Sequence, residues 1–291
     1  MAARAPAATR GMQLHLSCGA LGIQANQRQA IDLASKHGFD AVDADGKYLQ
    51  GASDGEVQDL LGYMRSKNIA WALAGLPVDF RGDDAAFRDG MTKLPAYAAG
   101  LQRAGVRRMT TWVMPRSDTL TYRANFKQHV SRLGEIARVL NGAGLRFGLE
   151  YIGPKTLWTV QHYPFCHTMA EIRELIAEMG QPNVGIVLDS WHWWHAGDTP
   201  SDISNLQAKE IVSVDLNDAP LNVPKDQMVD GKRELPASTG LIDVKSFLAA
   251  LQKINFEGPV RVEPFNDVVR HMPADEAAAA AMAALKKAFA S

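Results

Sequence analysis

Four short runs of apolar and β-branched residues each lead into an acid. Leu145–Leu149 runs into Glu150, Val184–Leu188 into Asp189, Ile211–Val214 into Asp215, and Pro259–Val262 into Glu263. An unpaired charge at the end of a buried strand is costly, so acids in such places call for a partner. For any one of them the plainer reading is a helix N-cap or one half of an ion pair. Four in successive strand units argue differently. Carboxylates brought that close repel each other unless protons or a cation neutralise them. A hard divalent ion with oxygen ligands solves that problem.

The elements that would bring them together recur along the chain. Strand-like runs alternate with longer helical patterns about eight times from Met12 onward, the rhythm of βα units and a parallel sheet. The strand-like runs are Leu14–Leu21, Phe39–Asp43, Ile69–Gly75, Val106–Met114, Leu145–Ile152, Val184–Leu188, Glu210–Leu216 and Pro259–Val262. Asn26 with Gln29 reads as a capping box, and Gly38 stops the helix that follows. Phe126, Val130, Leu133, Ile136, Ala137 and Leu140 recur at three- and four-residue steps, which predicts a helix closed by Gly144. Met169, Ile172, Leu175, Ile176 and Met179 give the next helix its face, and Asp243 caps a later one. The last helix places Asp275 and Glu276 in its first turn and Lys286 and Lys287 near its end, matching the helix dipole.

The fold class this predicts is α/β: a single (β/α)8 barrel over residues 12–291, preceded by a disordered tail over residues 1–11. A length of 291 residues suits one such barrel. The longest stretch without pattern, residues 219–240, would lie over the C-terminal face, where barrel active sites are built.

Composition excludes several classes. Lys plus Arg is 31 and Asp plus Glu is 32, a formal charge of −1 with no basic stripe, so no nucleic-acid partner is expected. No apolar run approaches the roughly 20 residues of a membrane span, so no membrane partner is expected either. Cys18 and Cys166 are too few for a disulfide framework, and the expected location is a reducing cytoplasm. Residues 1–11 lack the apolar core of an intact signal peptide. No Gly-x-Gly-x-x-Gly after a strand, P-loop, His-Glu-x-x-His or Gly-x-Ser-x-Gly is present. Nicotinamide chemistry, phosphoryl transfer and serine hydrolysis therefore lose support.

Several further residues are candidates for the pocket. His192 follows Asp189 by three positions, to touch substrate or metal or only to orient Asp189. Arg233, in the long loop, would clamp substrate hydroxyls or a carboxylate through its planar fork, or sit solvated. Lys155 and Trp112 are lining candidates. Trp191, Trp193 and Trp194 either pack the core or wall the pocket. His15 reads as a satisfied core histidine, His162 and His167 could drop in from above, and Cys166 reads as inert.

Glu150 in Gly148–Glu150, the segment Asp189–His192, the segment Val214–Asp218 and the segment Val262–Phe265 resemble the xylose-isomerase-like TIM-barrel superfamily, the sugar phosphate isomerase/epimerase group. Arg233–Pro236 and Thr239–Asp243 resemble one branch of it. The resemblance covers nearly all of the chain from Met12. It implies a Glu–Asp–His–Glu metal set, matched by Glu150, Asp189 and Glu263, with Asp215 where the family usually has His. Either Asp215 is the fourth ligand, or water, Asn217 or His192 takes that place. As a ligand, Asp215 would add negative charge and favour Mn²⁺ or Mg²⁺, with Co²⁺ or Zn²⁺ as alternatives.

The implied activity is isomerisation or epimerisation of a sugar or keto sugar. Glu150 and Glu263 would be the catalytic pair, one taking a proton next to a carbonyl and the other returning it through an enediolate. Related ketose epimerases carry another acid where this chain has Thr156, which argues against simple ketose 3-epimerisation. With a leaving group β to the new carbanion, the same site becomes a lyase or dehydratase acting on a keto sugar, keto-glycoside or inosose. Two rivals are weaker: an abasic-site endonuclease, which needs a basic groove, and a non-catalytic sugar-binding barrel. Family members often pair, so a homo-oligomer stays open.

Overall fold

The computed structural model describes residues 11–290. The tail expected over residues 1–11 therefore lies outside the described residues, apart from Gly11. Among the described residues, eleven strands form two sheets. The large one takes β1 (Gln13–Leu16), β2 (Ala41–Val42), β3 (Ala70–Trp71), β4 (Ala74–Gly75), β5 (Arg108–Trp112), β7 (Arg146–Glu150), β9 (Val184–Asp189), β10 (Ile211–Leu216) and β11 (Pro259–Val262). The short β6 (Arg116–Ser117) and β8 (Tyr163–Pro164) pair antiparallel above it.

Every pairing in the large sheet is parallel, in the order β3-β2-β1-β11-β10-β9-β7-β5-β4. Its two ends, β3 and β4, are pieces of one stretch, residues 70–75. The first piece bonds β2 and the second bonds β5. The sheet thus closes on itself as a barrel of eight strand positions, the third of them broken in the middle. The fold is a TIM barrel, as expected.

Local chemistry explains the helices that alternate with these strands. Asn26 and Gln29 form a reciprocal capping box at the start of the helix Gln27–His37, and Gly38 ends it in the left-handed region. Asp243 caps Val244–Lys253. The apolar stripe of Tyr122–Gly142 buries Leu133, Ile136, Ala137 and Leu140. One helix escapes the apolar pattern: Ser190–Ala196 begins immediately after β9, with Asp189 as its N-cap. Trp191 and Trp193 are both buried, while Trp194 is half-buried under Lys225. Among the described residues no helix is long and apolar enough to cross a membrane.

Candidate active site

Register places the acids before any side chain turns. Asp189 of β9 is the partner of Asp215 on β10, and Asp215 is the partner of Arg261 on β11. Trp112 of β5 is the partner of Glu150 on β7. Strand residues two apart share a face, so Glu263 projects on the same side as Arg261. Glycines keep the strands close here. A Cβ on Gly148 would meet the Val187 side chain at 2.9 Å, and one on Gly153 would stand 2.4 Å from the His192 carbonyl oxygen.

Glu150, Asp189, Asp215 and Glu263 each present one carboxylate oxygen, all within 4.8 Å of one another. Glu150, Asp189 and His192 form an overlapping group under the same limit. Asp189 and Asp215 are fully buried, and Glu150 and Glu263 nearly so. The sequence-based cluster of four is thus a real juxtaposition.

Two buried cations share it. Arg233 donates from Nη1 to Asp189 at 2.8 Å and to Glu263 at 3.2 Å, and from Nη2 to Asp230 at 2.8 Å. Its Nε donates to the Asp230 carbonyl. The ring of Phe265 lies 4.5 Å from the guanidinium carbon. Phe265 takes a φ of +39°, a conformation L side chains rarely adopt, and strain of that kind persists only where packing holds it. Arg261 grips Asp215 with two bonds of 2.8 Å and reaches Glu263 Oε1 at 2.8 Å.

These contacts set the ionisation of the site. Burial first, then the neighbouring Glu263, Asp189 and Asp215, push the Glu150 carboxyl well above the usual carboxylate range. Burial likewise lifts Glu263 to about 7, against the pull of Arg261. It lifts Asp189 to about 6, against the pull of Arg233. Burial alone would lower both arginines, but the acids around them hold them above their ordinary range. Burial and the Arg233 charge keep His192 neutral.

His192 stands between the acids and the chain. The Gly153 N–H donates to Nδ1 at 3.3 Å, Arg233 Nη2 lies 3.3 Å from Nε2, and Glu150 Oε1 lies 3.6 Å from Nε2. A neutral imidazole has one lone pair for these two N–H groups. The lone pair a metal would need is therefore already contested.

The acids can accommodate a divalent ion. Each carboxylate oxygen offers two lone pairs, and Glu150 Oε1 is buried with no hydrogen-bond partner at all. Two guanidiniums face five carboxylates, Asp230 included, so the acids outnumber the cations around them. A divalent cation would offset that excess.

One expectation needs correction. Asp215 does not add an unbalanced negative charge, because Arg261 neutralises it through both oxygens. Sequence reasoning missed Arg261, although its position two residues before Glu263 on one strand was the available signal. It also missed Asp230, which sits one helical step before Arg233 in the loop and partners it.

The acids open into a cavity of about 320 Å³. Glu150, His192, Asp230, Arg233 and Glu263 line its inner end. Trp112, Met114, Ile152, Leu157 and Phe265 wall it, and Arg116 stands among them. Trp112, expected to line the pocket, does so, with Arg81 stacked 3.9 Å over its ring. Lys155 is not in the wall; it is exposed and faces Asp226 at 3.8 Å. His162 is exposed beside Asp118, and His167 stacks on Trp158. Neither reaches the acids. His15 pairs with Asp43 at 2.8 Å in the interior, and burial pushes the Cys166 thiol up to about 12.

The family model described as "Xylose isomerase-like TIM barrel" matches residues 31–288. The chain belongs to that family. Among xylose isomerase-like barrels it is similar to the inosose isomerase of Bacillus velezensis, 24% identical over 256 residues, which cover 86% of this chain and 88% of the relative. It is also similar to the 3-dehydroshikimate dehydratase of Pseudomonas aeruginosa, 30% identical over 159 residues, 54% of this chain but 23% of that longer protein. Among solved xylose isomerase-like barrels, the IolI protein with a bound zinc atom superposes with a TM-score of 0.77 at 22% identity, covering 95% of this chain and 98% of that one. Both named relatives are enzymes, one an isomerase and one a dehydratase.

Proposed function

We propose that this chain is a divalent-metal-dependent isomerase or epimerase of a sugar-like keto compound. The observation that carries the reading is the convergence of four buried carboxylate oxygens within 4.8 Å, with Glu150 Oε1 left unpartnered among them. Glu150, Asp189 and Glu263 would hold the ion, with Asp215 in the fourth place. The Asp215–Arg261 pair is neutral overall, so it offers an oxygen donor with the net charge of a histidine. Oxygen donors favour Mn²⁺ or Mg²⁺, with Co²⁺ or Zn²⁺ as alternatives.

A bound divalent ion supplies Lewis acidity toward the substrate carbonyl. The remaining steps belong to the side chains. One of Glu150 and Glu263 takes the proton from the carbon next to the carbonyl. The other returns a proton to that carbon or to its neighbour, giving epimerisation or isomerisation through an enediolate. His192 and Arg233 hold these carboxylates in place and form the inner wall. The five N–H groups of Arg233 face Asp189, Glu263, Asp230 and His192, so a direct clamp on substrate requires one of those contacts to open. Trp112 and Phe265 present flat apolar surfaces to the C–H faces of a ring.

A second reading, dehydration by the same proton abstraction, is favoured by the 30% identity to a dehydratase over 159 residues. Two measurements test the proposal. Elemental analysis of the purified protein should find about one divalent ion per chain, absent from Glu150→Gln. Turnover of candidate keto compounds in D₂O should leave deuterium in unfragmented product for isomerisation or epimerisation, and release water for dehydration. A protein free of metal at full activity, or one that exchanges no proton, overturns it.

A further inference from the structure

The cavity is chemically divided. Glu150, Asp230, Glu263 and the acid-held Arg233 occupy its inner end, while Arg116 stands among the apolar residues of the wall. Arg116 is half-buried, and its position is fixed by the short antiparallel pair β6–β8, where it opposes Pro164. Its Nη1 donates to the Leu157 carbonyl at 2.7 Å, its one side-chain hydrogen bond among the described residues. No carboxylate of the described residues lies within ion-pair distance of it. Arg233, the other arginine that lines the cavity, is already held by acids. Of the two arginines that line the cavity, Arg116 is the one whose N–H donors are not taken up by acids. A guanidinium lining a cavity with N–H donors left over is suited to a planar or tetrahedral oxyanion.

The geometry points to Arg116 as the residue that selects an anionic substrate: a ring-sized keto compound bearing a carboxylate or phosphate away from its carbonyl. This rests on the proposed reaction and narrows its substrate class. The two relatives differ in this respect by their names alone, since 3-dehydroshikimate carries a carboxylate and an inosose carries none. On this reading the substrate lies on the anionic side of that divide. Its carbonyl enters toward Glu150 and Glu263, its ring passes Trp112 and Leu157, and its oxyanion meets Arg116.

Equilibrium binding tests this without turnover, so its failure is distinct from failure of the proposed reaction. Shikimate, myo-inositol and a myo-inositol monophosphate are titrated into the full chain by calorimetry, with and without Mn²⁺. The expected result is at least tenfold tighter binding of one or both anions than of the neutral ring. Shikimate against the phosphate identifies which oxyanion is taken. In Arg116→Gln the preference should vanish while myo-inositol affinity is unchanged, and Arg116→Lys should retain part of it. Equal affinity for all three rings in the natural chain overturns the inference. So does a preference that survives in Arg116→Gln. If Arg116→Gln loses every ligand, Arg116→Lys decides: a retained preference supports the assignment, and loss of all binding overturns it.

Discussion

The two halves of the barrel rim carry opposite kinds of side chain. At β7, β9, β10 and β11 the strand ends carry acids, buried and laced by Arg233 and Arg261. From β1 to β5 they contribute no acid to that cluster. Their part of the cavity is Trp112, backed by Arg81 stacked on its ring, with Met114 and Arg116 just beyond β5. One half is built to hold charge against its own repulsion, and the other to offer shape and a free cation. The difference separates reaction from recognition, and substitutions in the two halves should fail in different ways.

The largest effect should come from the acidic half. Glu150→Gln keeps the shape and removes the carboxylate whose Oε1 has no hydrogen-bond partner in the cluster. Turnover should fall about 10³-fold or more, within the range expected for loss of a proton-transfer group. Bound metal measured by elemental analysis should fall with it. If kcat stays within tenfold of the natural chain, the division of labour between the halves is wrong.

Arg261 tests the same half through stability. Arg261→Met leaves Asp215 buried with no cation on either oxygen. Breaking a buried pair from one side costs about 3–5 kcal/mol. Urea unfolding of the metal-free protein should show a loss of that order, and added Mn²⁺ should recover part of it. A loss below about 1 kcal/mol would mean that Asp215 is neutralised in some other way.

Acidity should separate the halves again. Glu263 is lifted to about 7 and Asp189 to about 6 in the folded chain, above their ordinary values. Between those values and the ordinary carboxylate range the folded state holds protons that the unfolded chain has released. Stability of the metal-free protein therefore falls as pH rises toward 7, by an amount on the order of 3 kcal/mol for a shift of this size. His129, lowered to about 4 by burial, works the other way: the unfolded chain takes its proton first as pH drops below 6.5. The clean measure is therefore the difference between the natural chain and Glu263→Gln, whose stability should rise less on acidification from pH 7 to 5. Parallel curves would remove Glu263 as the source.

How much of this was legible depends on how local the signal is. The strand-end acids could be read because each closes an apolar run, and Asn26 with Gln29 because a capping box spans three residues. The barrel followed from the alternation of those runs. Arg261 escaped because a charge inside the run Pro259–Val262 reads as a solvent-facing residue until the register sets it beside Asp215. Asp230 escaped because its partner is defined by a loop path, and no periodicity describes a loop. The helix Ser190–Ala196 was hidden by its aromatic content, since Trp191, Trp193 and Trp194 lie at one- and two-residue steps. The break in the third barrel strand, at residues 72–73, left no mark in the continuous apolar run Ile69–Gly75.

On the recognition side the expected effects are smaller and take another form. Trp112→Ala removes a ring surface next to Glu150 and leaves the acids in place. Aromatic contacts of this kind are worth about 0.5–1.5 kcal/mol. KM should rise up to about tenfold with kcat within a factor of three, as expected when binding that is equal in ground and transition states is lost. A fall in kcat that matches the change in kcat/KM would place Trp112 in the reaction and blur the comparison.

The smallest effect should come from Lys155, which the chain position beside Glu150 makes an attractive candidate and the geometry does not. The strand ends at Glu150, and residues 151–154 carry the chain out to the helix Lys155–Trp158. The Lys155 ammonium is exposed there and faces the equally exposed Asp226 at 3.8 Å. Surface pairs of this kind contribute about 0–1 kcal/mol, and salt screens them further. Lys155→Ala should therefore change kcat/KM by less than about twofold at physiological ionic strength. A tenfold loss that persists in high salt would require the ammonium to reach the cavity during turnover. The Lys155–Trp158 helix would then have to swing inward, and the cationic side of recognition would extend beyond Arg116.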